Sequence, residues 1–152
     1  MRYLLWMALP ILVFACKKSD DKTNQAAIDK AILLQYIAID STITYDSTST
    51  GLYYSIADTG TGTITPHLNS YITVHYKGSY KDGVVFEQTS GSPIKGFLKQ
   101  FIAGWQEGVP FIRKGGKIKL LIPSALAYGT TGSGSIPANT VLIFEIELVN
   151  VE

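Results

Sequence analysis

The side chains able to do chemistry in this sequence are few, and they argue against most kinds of it. Histidine occurs twice, at His67 and His75, and neither stands near a cysteine or a group of carboxylates at metal-ligand spacing. There is no His-Glu-x-x-His pair, no Walker loop and no Gly-x-Gly-x-x-Gly turn opening a helix. The Gly60-x-Gly62 pair reads as a turn, and no Gly-x-Ser-x-Gly elbow presents a serine nucleophile. Metal, nucleotide and covalent chemistry lack the residues they need, and no cofactor is expected. What remains is aromatic. Tyr76, Phe86, Phe101, Trp105, Tyr128 and Phe144 fall at strand ends, on a short helix and in a late loop. Taken singly, each reads as core of a small domain. Trp105 and Tyr128 fit that reading least. Trp105 sits in a glycine-flanked stretch too weak to be a good scaffold helix, where an indole could floor a pocket. Tyr128, in Ala127-Tyr128-Gly129, stands in a loop where a phenol has no simple core role.

The elements that must position these residues are legible from periodicity. Residues 52–57, 71–76, 84–86, 117–122 and 141–149 read as strands, the last two by clean alternation of Lys117 and Lys119 with Ile118 and Leu120, and of Glu145 and Glu147 with Phe144, Ile146 and Leu148. Lys81-Asp82-Gly83 and Lys114-Gly115-Gly116 are turns. Phe101, Ile102 and Trp105 recur at helical spacing, which predicts one short helix over 100–109. Residues 124–139, rich in Gly, Ser and Thr, form a loop. About five antiparallel strands and one short helix give an α+β domain, a curved sheet wrapped over that helix, with one wet face.

A separate segment precedes this domain. Arg2 and the apolar run 3–15 are too short for a permanent span and fit a signal segment. Val13-Phe14-Ala15-Cys16 resembles a bacterial lipoprotein processing site, in which the cysteine is acylated; the alternative is an ordinary secretory peptide with an incidental cysteine. Residues 1–15 are therefore expected to be a lipoprotein signal peptide, 16–24 a lipidated tether, 25–50 an N-terminal helix and linker, and 51–152 the main domain. Cys16 is the one cysteine, so no intrachain disulfide can form; once acylated it leaves no free thiol, which suits an oxidising compartment. The stripe Ile28, Ile32, Tyr36 and Ile39 predicts a helix buried along that face, on the sheet or on a second copy, and separable from the sheet domain. With 13 basic against 12 acidic side chains, nothing points to a nucleic-acid partner.

Four ordered blocks carry a resemblance. They are Val74-His75-Tyr76-Lys77-Gly78, running on through Asp82-Gly83-Val84-Val85-Phe86-Glu87; Phe101-Ile102-Ala103-Gly104-Trp105-Gln106-Glu107-Gly108; Ala127-Tyr128-Gly129 with Ile136-Pro137; and residues 142–148. Together they resemble the FK506-binding family of peptidyl-prolyl isomerases over roughly residues 52–149. The N-terminal helix, the Ser/Thr-rich stretch and the Gly-Leu-Tyr-Tyr strand look like its lipoprotein branch in Bacteroidetes-like bacteria.

The resemblance implies an FKBP-like half-open antiparallel sheet around a short helix, with an extra N-terminal helix here. It implies a groove that takes a proline ring over Trp105, walled by Tyr76, Phe86, Phe101, Ile136 and Phe144. The backbone N–H of Ile102 and the hydroxyl of Tyr128 would bind substrate carbonyls. Glu87 stands where the family usually carries aspartate, one methylene further out. Phe97, beside Gly96, is the nearest aromatic to a wall position ahead of Leu98; separately, Ala125, before Leu126, lacks the acidic or polar side chain the family often has at that position. The implied partners are proline-containing polypeptides of the cell envelope, an FK506-like macrolide, and an outer membrane reached through the lipid anchor. The protein is expected to be a monomer or a dimer through the N-terminal helix. The alternative activity is a non-catalytic proline-peptide-binding or chaperone module.

Overall fold

A computed structural model describes residues 20–39 and 41–152. Cys16, the expected leader and the first residues of the tether lie outside the described residues. The elements run α1 (Asp20–Ile39), β1 (Asp46–Ser47), β2 (Tyr53–Asp58), β3 (Tyr71–Ser79), β4 (Val85–Gln88), β5 (Ile94–Phe97), α2 (Ala103–Gly108), β6 (Lys117–Ile122) and β7 (Leu142–Val151). Short 3-10 turns at Leu98–Gln100, Val109–Phe111 and Ser124–Leu126 flank α2 and follow β6.

The strands form one antiparallel sheet ordered β1-β2-β6-β7-β3-β4, with β5 also paired to β3. The expected alternation divides its faces. Ile72, Val74, Leu120, Ile122, Phe144, Ile146 and Leu148 are buried on the inner face, where Trp105, Val109 and Ile112 complete the core. On the outer face, Lys77 pairs with Glu145 at 2.9 Å and Lys117 with Glu147 at 3.4 Å, both exposed and worth little to stability.

Helix α2 has six residues, shorter than the expected 100–109. Phe101 and Ile102 are extended, so their helical spacing reflects a turn-and-helix segment rather than one continuous helix. Its two glycines have a purpose beyond brevity. A Cβ on Gly104 would stand 2.6 Å from Ile122, and one on Gly108 2.5 Å from Leu120. Only bare backbone lets α2 lie this close to β6, and the close approach seats Trp105 against the sheet.

Helix α1 corrects two expectations. It begins at Asp20, so residues 20–24 are helical instead of tether; this segment is polar but holds no Gly or Pro to break a helix. The face that packs is also rotated from the expected stripe. Ile28 and Ile39 are 45% and 80% exposed, whereas Asp29 and Leu33 are each 1% exposed. Leu33 joins Leu121, Val141 and Ile143 in a second cluster on the outer face, with Ile32, Tyr36, Tyr45 and Tyr53 around it. The apolar stripe gave the wrong centre because a carboxylate, Asp29, is among the buried residues. The two helices thus cover opposite faces of one sheet.

Candidate active site

The inner face near α2 gathers six aromatic rings. Trp105, 3% exposed, is the hub. Its ring stacks on Phe101 (centroids 4.9 Å, 16° between planes) and meets Tyr76 and Phe144 edge-on at 5.2 and 5.3 Å. Phe86 extends the cluster from Phe144 at 5.6 Å, and Tyr80 lies 5.1 Å from Phe86. Edge-to-face packing of this kind suits the ring quadrupoles and holds each ring in place. The five rings expected to line one pocket, those of Tyr76, Phe86, Phe101, Trp105 and Phe144, are brought together. Ile136, 9% exposed, packs on the same core. Phe97 does not join them. Its strand pairs it with Tyr71, and its ring, 41% exposed, sits edge-on to Tyr71 at 5.1 Å with Lys99 above it.

The polar groups are set by the backbone around the rings. Ile102 is the N-cap of α2, and its carbonyl accepts the N–H groups of Trp105 (2.9 Å) and Gln106 (3.1 Å). Its own N–H donates to no acceptor among the described residues. The Gln106 side-chain amide donates to the carbonyls of Phe101 (2.7 Å) and Lys99 (3.2 Å), binding the extended segment to the helix. Tyr76 is held by Thr89, whose N–H donates to the Tyr76 carbonyl at 3.0 Å. The indole Nε1 of Trp105 is buried without a hydrogen-bond partner among the described residues.

Tyr128 lies in the half-open loop after β6. Its carbonyl accepts the N–H of Gly132 at 3.1 Å, and Ser133 and Ile136 exchange backbone hydrogen bonds that fold the loop tip. The Tyr80 hydroxyl donates to the Ser135 carbonyl at 3.0 Å, tying that tip to the aromatic cluster. Tyr76, Glu87 and Tyr128 form one polar group. Burial, foremost, raises the pKa of the Tyr76 phenol, and Glu87 adds to it by engaging the hydroxyl and by its charge. Burial and then the charge of Glu87 likewise raise Tyr128. Both phenols are therefore neutral donors at physiological pH. The carboxylate of Glu87, one methylene longer than aspartate, still bears on the Tyr76 phenol, as the raised pKa records.

Among the described residues no cluster of His, Cys, Asp or Glu could hold a metal. A cavity of about 930 Å³ lies on the opposite, outer face, but charges such as Lys77, Lys119 and Glu145 line it and two ion pairs consume most of them. An apolar cluster fringed by free donors is the better candidate for ligand binding.

The family model for FKBP-type peptidyl-prolyl cis-trans isomerases matches residues 62–149, which is more than half of the chain. The chain belongs to that family. Curated relatives include FkpA of Buchnera aphidicola from Schizaphis graminum, 50% identical over 107 residues, covering 69% of this chain and 42% of that protein. FkpA of Escherichia coli K12 is 44% identical over 108 residues, covering 70% of this chain and 40% of the other. The chain thus spans less than half the length of these curated relatives. Among solved structures, E. coli FkpA superposes with a TM-score of 0.75 at 37% identity, over 89% of this chain and 66% of that one. A peptidyl-prolyl cis-trans isomerase of Pseudomonas syringae gives 0.73 at 30% identity, over 86% and 96%. The FKBP-type match covers β3 to β6, β7 up to residue 149, and every ring of the cluster. It leaves out α1, β1 and β2.

Sequence reasoning missed Tyr80, Gln106 and Asp29. Tyr80 follows β3 directly and could have been found as an aromatic beside a turn. Gln106 acts on carbonyls five and seven residues before it, and Asp29 on a group 95 residues away; no side-chain spacing betrays either contact.

Proposed function

We propose that this chain is a peptidyl-prolyl cis-trans isomerase acting on X-Pro bonds of exported polypeptides. The observation that carries the proposal is the Trp105-centred cluster with unpaired donors at its rim. A proline ring sits over the indole, between Tyr76, Phe86, Phe101, Ile136 and Phe144. The N–H of Ile102 and the hydroxyl of Tyr128 hold the flanking carbonyls, and Glu87 orients the Tyr76 phenol.

No base or nucleophile is required. Amide resonance sets a rotation barrier of about 18–20 kcal/mol. Resonance is lost as the bond twists, so a site that binds the twisted amide better than either planar isomer lowers the barrier. A pocket of low polarity favours that state, which carries less charge separation than the planar amide. An FK506-like macrolide would compete for the same rings.

The hydroxyl of Tyr128 gives the cleanest test. Tyr128→Phe keeps the ring and removes one donor worth on the order of 1 kcal/mol. In a protease-coupled assay with a Leu-Pro peptide, kcat/KM is expected to fall several-fold while the melting temperature barely moves. The wild-type profile is expected to be level from about pH 6 to 9, since both phenols titrate above the ordinary tyrosine range. A protein that binds such peptides without accelerating isomerisation would be a binding module instead.

The chain's place in this reading is the bacterial envelope, with Cys16 acylated and anchored in the outer membrane, as in the lipoprotein branch it resembles. Support comes from Val13-Phe14-Ala15-Cys16 closing the apolar run. Cys16→Ser is expected to move the protein from the membrane to the soluble fraction on cell fractionation; retention on the membrane would remove the anchor from the proposal. Ile28 and Ile39, exposed on the same side of α1, offer a face on which a second copy could pair.

A further inference from the structure

Helix α1 lies on the far side of the sheet from the aromatic rings, yet its most buried polar group is tied to the loop that carries Tyr128. Asp29 is 1% exposed. Its Oδ2 accepts the Ser124 N–H at 2.8 Å and the Ser124 hydroxyl at 2.6 Å, and its Oδ1 accepts the Gln25 side-chain amide at 2.7 Å. Ser124 opens the 3-10 turn that follows Pro123, and no side chain of the turn's own N-cap satisfies it. A buried N–H at such a start needs an acceptor. Asp29 supplies it from 95 residues away in the chain.

What Ser124 then holds is the segment around Tyr128. Its carbonyl accepts the N–H of Ala127 at 3.0 Å and that of Gly129 at 2.8 Å, the residues on either side of Tyr128. The Gly129 carbonyl in turn accepts the N–H of Asn139 at 2.7 Å, closing the base of the loop. A cavity of about 480 Å³ lies beside this contact, bordered by Asn24, Gln25, Thr130 and Asn139 and lined also by Asp29 and Ser124. The hydrogen bonds of Asp29 to Ser124 are thus a buried polar link between α1 and the base of the loop.

We propose that Asp29 is a positioning residue for the Tyr128 hydroxyl, which makes the N-terminal helix a working part of the isomerase site. This rests on Tyr128 being a donor to the twisted substrate, as argued above. Asp29 touches no ring of the pocket, and it acts only by fixing Ser124. Substrate binding to the rings is unaffected by its loss, and the donor's alignment in the transition state is not.

The test is a double-mutant cycle on the full-length chain, measured well below every melting midpoint. Asp29→Ala is expected to lower kcat roughly fivefold with KM unchanged, the rate equivalent of one misaligned hydrogen bond. In a Tyr128→Phe background the same change is expected to cost nothing more, because the hydroxyl it positions is gone. Asp29→Asn keeps an acceptor oxygen for Ser124 and is expected to restore most of the rate. If Asp29→Ala fails to fold, Ser124→Ala takes its place in the cycle, since it removes the hydroxyl bond and leaves the backbone one. Wild-type kcat in Asp29→Ala, beside an impaired Tyr128→Phe, would overturn this inference alone. So would losses that multiply in the double variant, which would mark Asp29 as merely structural. A fully active Tyr128→Phe would overturn both this inference and the role given to Tyr128.

Discussion

Trp105→Ala is expected to destabilise the protein by about 3–5 kcal/mol and to remove nearly all isomerase acceleration. The ring is buried, and Tyr76, Phe101 and Phe144 all rest on it within 5.3 Å. Its removal leaves a void that three large rings cannot fill without abandoning their packing. Thermal melts by circular dichroism are expected to show a drop of about 10 °C or more. Stability and activity fall together in this variant, so Trp105→Phe is the partner that separates them. The indole N–H has no partner to lose, and a smaller aromatic keeps most of the apolar contact. Trp105→Phe is expected to recover most of the melting temperature and a measurable part of the turnover. A Trp105→Ala protein that melts like wild type would mean that the ring is no part of the core.

Removing α1, by starting the chain at residue 41, is expected to cost several kcal/mol of stability, contrary to the separability that the sequence suggests. Leu33 is 1% exposed against Leu121, Val141 and Ile143, none more than 3% exposed. Taking the helix away turns that patch of the outer face to water and strips the buried Ser124 N–H of its acceptor. The single change Leu33→Ala is expected to cost about 2–5 kcal/mol by the same route. Urea unfolding of the truncated and full-length chains checks this, with midpoints compared at equal slope. A truncated chain as stable as the full one would return α1 to the role of a tether.

The sheet was legible where one face is wet. β6 was found at its observed bounds because Lys117 and Lys119 alternate with Ile118 and Leu120. β1 and β5 were missed for physical reasons. β1 is two residues in a Ser/Thr-rich stretch, and β5 is four residues with Gly96 inside, so neither is long enough to show a period. The length of α2 was misjudged because Phe101 and Ile102 reach the same core from extended backbone. The aromatic cluster could not have been assembled from spacing. Its rings come from β3, β4, α2, β7 and the segments just after β3 and just before α2, and only the family resemblance named five of the six as one pocket. Asp29 was illegible for a further reason: a carboxylate in a helix normally marks the solvent side, and here its acceptor role reverses that rule.

The isolation of the Trp105 indole has a spectroscopic consequence. The sequence holds two tryptophans, Trp6 and Trp105. A chain lacking residues 1–15 has a single indole fluorophore, and it sits at the centre of the aromatic cluster. Its emission is blue-shifted while the ring is dry, and any ligand resting on it or drawing on its N–H changes intensity and wavelength. Titration of a proline peptide into that chain then reports occupancy directly, with no label and no coupled enzyme, from the residue on which the whole inner face converges.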